Sequence, residues 1–67
     1  MYNIKNRLKD LRIERNLRQI DMAEQIGFTQ PTIAQWENGS RLPTLENLVL
    51  LAKFFNCTTD YLLGLED

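Results

Sequence analysis

The residues with the clearest chemical signature lie in the stretch "TQPTIAQWENG", Thr29–Gly39. Wound as a helix of about three turns, it turns Pro31, Ala34, Gln35 and Asn38 outward, with Gln30 at its leading tip. None of these is charged. An amide side chain carries a donor and an acceptor side by side, so hydrogen bonding of defined polarity is the chemistry this face offers. Other chemistries lack their residues. The chain has no His and a single Cys, Cys57, so an intrachain disulfide and the usual zinc ligand sets are excluded. It has no paired acid–base constellation and no Gly-rich phosphate loop. Asp21, Glu24 and Glu37 read as helix-face or bridge carboxylates. Neither an enzyme, nor a metal site, nor a cofactor is expected.

Sixty-seven residues allow one domain, residues 1–67. A domain of this size buries only about 60% of its unfolded surface, so its core must be continuous. Apolar content of 43% and charged content of 25% are those of an ordinary globular protein. No apolar run approaches the roughly 18 residues of a membrane span, and "MYNIKNRLKD" lacks the apolar core of a signal peptide. A cytoplasmic chain is expected. The formal net charge is -1 but unevenly spread. Residues 1–20 set Lys5, Arg7, Lys9, Arg12, Arg15 and Arg18 against Asp10 and Glu14, whereas residues 21–67 set Arg41 and Lys53 against seven carboxylates. A basic first third suits a polyanion or a solvated helix face.

Every well-patterned segment has helical period. Ile4, Leu8 and Leu11 make one buried stripe of a helix over about 4–14, with Asn3 as its cap and Asn16 as a left-handed stop. Ile20, Ala23 and Ile26, adjoined by Met22, predict a second helix over about 19–26, ended by Gly27. Thr29 is expected to cap the third helix, and Pro31 is tolerated in its first turn, where a missing N–H costs nothing. Ile33, Trp36 and Glu37 share its inward face. Thr44 caps a fourth helix over about 45–55, lined by Leu45, Leu48, Leu51, Ala52 and Phe55. Thr58 caps a short fifth, "TDYLL", stopped by Gly64. The expected fold is all-α, five short helices around one core.

The joint between helices 2 and 3 carries the most information. A helix-turn-helix needs a small residue where its helices cross, a residue that permits positive φ at the turn, and apolar residues facing back from its second helix. Ala23, Gly27, Ile33 and Trp36 supply these in order. Here "RQIDMAEQIGFTQPTIAQWENG" followed by "RLPTLENLVLLAKFFN" resembles the DNA-binding domain of the lambdoid-repressor, Cro and XRE (Cro/C1-type) group. The resemblance covers about residues 4–64 and rests on Gln19, Ala23, Gly27, Ile33, "WENG", Pro43 with Thr44, and the Leu-rich fourth helix. It implies a helix-turn-helix at about 19–38 in a prokaryotic or phage transcription regulator, most often a repressor.

The resemblance implies that helix 3 enters the DNA major groove. Amides complement the donor–acceptor pair on the adenine edge, which makes Gln30 and Gln35 base readers, and Pro31 and Thr32 can meet a thymine methyl. Gln19 matches the family position at which the start of helix 2 meets phosphate, and Arg18 precedes it where the family often has a capping Ser, Thr or Asn. Thr29, Asn38, Ser40 and Arg41 match positions that flank the groove and contact phosphate. Arg12 and Glu37 match a frequent bridge that orients helix 1 on helix 3. Lys5, Arg7, Lys9 and Arg15 are expected to give only weak long-range steering.

A homodimer on a palindromic site is the expected assembly, since one helix makes few base contacts. The alternative is a protein-interaction module, such as an antitoxin or adaptor on the same fold, using Tyr61, Leu62, Leu63 and Leu65 as an apolar patch. "YLLGLED" reads equally as an end and as the entry to a linker and regulatory domain.

Overall fold

A computed structural model describes residues 2–66. Five helices follow in order: α1 (Ile4–Glu14), α2 (Gln19–Ile26), α3 (Gln30–Asn38), α4 (Leu45–Phe54) and α5 (Thr59–Leu63). No strand occurs among the described residues. α3 packs against α1 and α2, and α5 against α1 and α4, so the recognition candidate rests on two helices.

Each helix is too short to persist alone and is held by its buried face. One core joins Ile4 and Leu8 of α1, Met22 and Ala23 of α2, Ile33 and Trp36 of α3, Leu48, Leu51 and Ala52 of α4, Phe55 and Leu62. Met22, Ile33, Leu51 and Leu62 have no exposed surface. Burying a side chain of this size stabilises by about 1.5–3 kcal/mol. Trp36 belongs to this core and stands edge-on to Phe28, with ring centroids 5.1 Å apart.

Two apolar residues do not face inward as the periodicity suggests. Ile20 is 40% exposed, and Met22 takes its place in the core. At 3.6 residues per turn, the face shared by Met22, Ala23 and Ile26 centres about 110° away from Ile20. Leu45 is 78% exposed. It is the first residue of α4, and helical side chains tilt toward the N-terminus, so it projects past the end of the bundle. The apolar C-terminal patch is also broken up. Leu62 is buried, Leu63 packs on the core and Tyr61 lies under the Arg7 guanidinium at 4.2 Å, which leaves Leu65 exposed.

The stops follow the sequence more closely than the caps. Asn16, Gly27 and Gly64 all have positive φ. A Cβ on Gly27 would meet nothing within 4 Å, so conformation alone selects glycine there. At Gly64 a Cβ would also stand 3.0 Å from the Asn3 side chain. Thr44 and Thr58 cap as expected, accepting from the Asn47 and Tyr61 N–H groups. Asn3 does not cap α1. Its φ of -114° and ψ of 39° are not those of an extended cap residue, and its side chain accepts from Asn6 instead. Its N–H donates to the Leu63 carbonyl at 3.0 Å, tying the start of α1 to the end of α5.

Candidate nucleic-acid interface

The turn between α2 and α3 is set by Gly27, whose φ of 81° lets its own N–H and that of Phe28 both reach the Ala23 carbonyl. Ala23 is 1% exposed, so α3 crosses α2 closely at that point. The turn brings Gln19, the first residue of α2, beside Gln30, the first residue of α3.

Arg12 of α1 and Glu37 of α3 lie 25 positions apart in sequence and meet as a two-bonded pair. Arg12 Nε donates to Oε2 at 2.7 Å and Nη2 to Oε1 at 2.9 Å. Arg12 Nη1 donates to the Leu17 carbonyl at 2.7 Å, so all three guanidinium nitrogens are engaged. The side chains are only 11% and 5% exposed. The bond to Glu37 raises the Arg12 pKa, against the opposing effect of burial.

Two glutamines extend this pair toward solvent. Gln19 Nε2 donates to Glu37 Oε1 at 3.2 Å, and Gln30 Nε2 donates to Gln19 Oε1 at 2.8 Å. The chain has one possible polarity. An ionised carboxylate only accepts, so Gln19 must turn its NH2 to Glu37 and its carbonyl to Gln30. Gln30 is left with one N–H and its Oε1 for an outside partner. Gln35, half-buried five residues further on, has no side-chain hydrogen bond among the described residues.

The remaining site residues of the sequence reading fall around this line. Pro31 is exposed and Thr32 half-buried. Thr29 is exposed but does not cap α3, because its hydroxyl pairs with that of Thr32 at 2.9 Å. Asn38 Oδ1 accepts from the Ser40 N–H at 2.8 Å, which leaves its NH2 to donate outward. Ser40 and Arg41 are exposed, and the Arg41 N–H reaches the Gln35 carbonyl at 3.3 Å. A groove of about 320 Å³ lies between α1 and α3, lined by Lys9, Arg12, Gln19, Ala34, Glu37 and Asn38.

Arg18 does not present a free charge. Its guanidinium donates from Nε and Nη2 to the two oxygens of Asp21, each at 2.9 Å, and its N–H donates to Asp21 Oδ2 at 2.9 Å. Asp21 thus supplies, from the third position of α2, the half of a capping box that satisfies the Arg18 N–H, while no side chain takes the place of the missing Ser or Thr cap. These bonds hold the Asp21 carboxyl down to about 2, the Arg18 side chain first and its backbone N–H second. Sequence reasoning missed this role; the signal was an acid three residues after the cap position.

No three His, Cys, Asp or Glu side chains converge as metal ligands among the described residues, and no described helix is long and apolar enough to cross a membrane. Cys57 is half-buried, and burial pushes its thiol pKa up.

Comparison with known proteins sets this geometry in context. A helix-turn-helix family model matches residues 8–62. The HTH-type transcriptional activator BcrR of Enterococcus faecalis is 39% identical over 61 residues, 91% of this chain and 30% of that protein. The HTH-type transcriptional regulator AnsR of Bacillus subtilis is 41% identical over 61 residues, 91% of this chain and 53% of that protein. The chain thus spans about half the length of these curated relatives, or less. The crystal structure of the P22 c2 repressor in complex with a synthetic operator superposes with a TM-score of 0.87 at 30% identity. That match covers 98% of this chain and 100% of the other.

Proposed function

The chain belongs to the helix-turn-helix family of XRE/Cro/C1 type, and on that premise we propose that it is a sequence-specific DNA-binding transcriptional regulator. α3 enters the major groove of double-stranded DNA. The observation that carries this reading is the hydrogen-bonded line Arg12–Glu37–Gln19–Gln30. It spends one N–H of Gln30 inside the protein and aims the remaining donor and acceptor outward, the pair that an adenine edge complements. Gln35 supplies a second amide. Pro31 and Thr32 offer apolar contact to a thymine methyl. A neutral reading edge suits nucleobases, which present matched hydrogen bonds rather than charge.

Phosphate contacts set the register. Gln19 at the start of α2, Thr29, the Asn38 NH2, Ser40 and Arg41 make them in this reading. Arg18 contributes less than its charge suggests, because Asp21 neutralises it. Steric exclusion of polymerase and activator-like contact are both modes open to a chain that docks in this way. The assembly is a homodimer reading half-sites about 34 Å apart. Leu42 and Leu45, 68% and 78% exposed in the turn after α3 and at the first position of α4, support a second copy as the partner.

The test is selection from randomised duplexes by the wild-type chain, followed by a salt titration of the enriched site. Enrichment of an inverted repeat, with affinity falling steeply as salt rises, is expected. Equal weak binding of every duplex would end the DNA reading and leave a protein-interaction module in its place.

A further inference from the structure

Lys9 differs from Lys5, Arg7 and Arg15, on and just after α1, in the groove it lines. Arg7 is stacked on Tyr61, Arg15 lies over the Phe54 and Phe55 rings at 5.2 Å, and Lys5 lies against Gly39 and Trp36. Lys9 is exposed, has no ion-pair partner among the described residues, and lines the groove between α1 and α3. Opposite it stand Ala34, whose single methyl leaves the groove open, and Asn38 with its NH2 free.

The other groups lining this groove carry no net charge. Arg12 and Glu37 cancel in charge, and every Arg12 nitrogen is bonded. Gln19 is neutral and keeps one N–H beyond its bonds to Glu37 and Gln30. Lys9 is therefore the net positive charge of the groove. The major groove is about 12 Å wide and one α-helix about 10–12 Å across, so an element packed beside the inserted helix must meet a phosphate ridge. α1 is packed beside α3, and Lys9 is on the side that faces the groove.

The geometry points to Lys9 as a direct DNA-phosphate contact, seating one backbone phosphate of the bound duplex between its ammonium and the Asn38 NH2. This rests on the DNA-binding reading above and replaces long-range steering with a located contact for this one residue.

The experiment measures binding against salt, using a duplex that the wild-type chain has selected from a randomised library. Loss of one phosphate contact lowers the slope of log affinity against log salt by about 0.9. Lys9→Gln is expected to show that loss, Lys9→Arg to retain the wild-type slope, and Lys53→Gln, on α4, to leave it unchanged. A Lys9→Gln slope equal to that of wild type or of Lys53→Gln overturns the inference while the DNA reading stands. Acetylation of the wild-type chain gives a second readout that needs no variant. Bound duplex is expected to shield Lys9 and leave Lys53 open, and equal labelling of Lys9 with and without duplex overturns the contact. If the wild-type chain selects and binds no duplex, the DNA reading itself falls and takes this inference with it.

Discussion

Replacing Glu37 by Ala tests whether the Arg12–Glu37 pair holds α1 on α3. The substitution leaves Arg12, whose side chain is 11% exposed in the intact pair, with only the Leu17 carbonyl for company, and removes the acceptor of Gln19. Breaking a buried pair from one side costs about 3–5 kcal/mol. The surviving bond to Leu17 and the residual access of water to Arg12 put this case near the lower end, about 3 kcal/mol. At about 0.05–0.15 kcal/mol per residue, a chain of this size has roughly 3–10 kcal/mol in total. The loss is thus a large share of the whole, and at about 4–8 °C per kcal/mol it lowers Tm by roughly 12–24 °C. Urea unfolding followed by far-ultraviolet circular dichroism measures it. The double replacement Arg12→Met with Glu37→Met should recover most of the loss, because two apolar groups leave no orphaned charge. A cost below about 1 kcal/mol for Glu37→Ala, the value of an exposed pair, would refute the claim that this bridge is desolvated and structural.

Three further perturbations read the helix starts. Thr44→Ala should cost about 1 kcal/mol in urea unfolding because its hydroxyl accepts from the Asn47 N–H, whereas Thr29→Ala, which removes no cap, should cost much less. Asp21 is depressed in the folded chain from an ordinary 3.8 to about 2. Its bonds to Arg18 therefore add stability that is complete above pH 3.8 and is lost as pH falls toward 2. Urea midpoints measured across that window should fall more steeply for the wild-type chain than for Asp21→Asn; parallel profiles would remove the pair from the stability account.

The parts of the fold legible in the sequence are those decided locally. Gly27 marks the turn because positive φ favours glycine whatever surrounds it, and Ile33 and Trp36 mark the inner face of α3 by spacing alone. Caps were less legible. Whether Asn3 or Thr29 caps depends on backbone angles and competing partners set by the assembled fold, and both spend their side chains on neighbours instead. Leu45 has the composition of a core residue but sits at a helix end, where the bundle no longer covers it. Within the candidate site, the Arg12–Glu37 pairing spans 25 positions, and only the family resemblance drew attention to it. The coupling of Gln19 to both Glu37 and Gln30 is a property of three helices at once, and no spacing rule encodes it.

In the function proposed above, the uncharged outer edge of α3 reads nucleobases. The most direct test of that reading is to compare the duplexes selected from a randomised library by the wild-type chain and by Gln35→Ala, a residue outside the Arg12–Glu37–Gln19–Gln30 line. Gln35→Ala is expected to keep the wild-type melting curve, relax the preference at one base pair of each half-site, and lose about 1–3 kcal/mol of discrimination there. Identical preferred sequences for the two chains, at equal affinity, would contradict that reading.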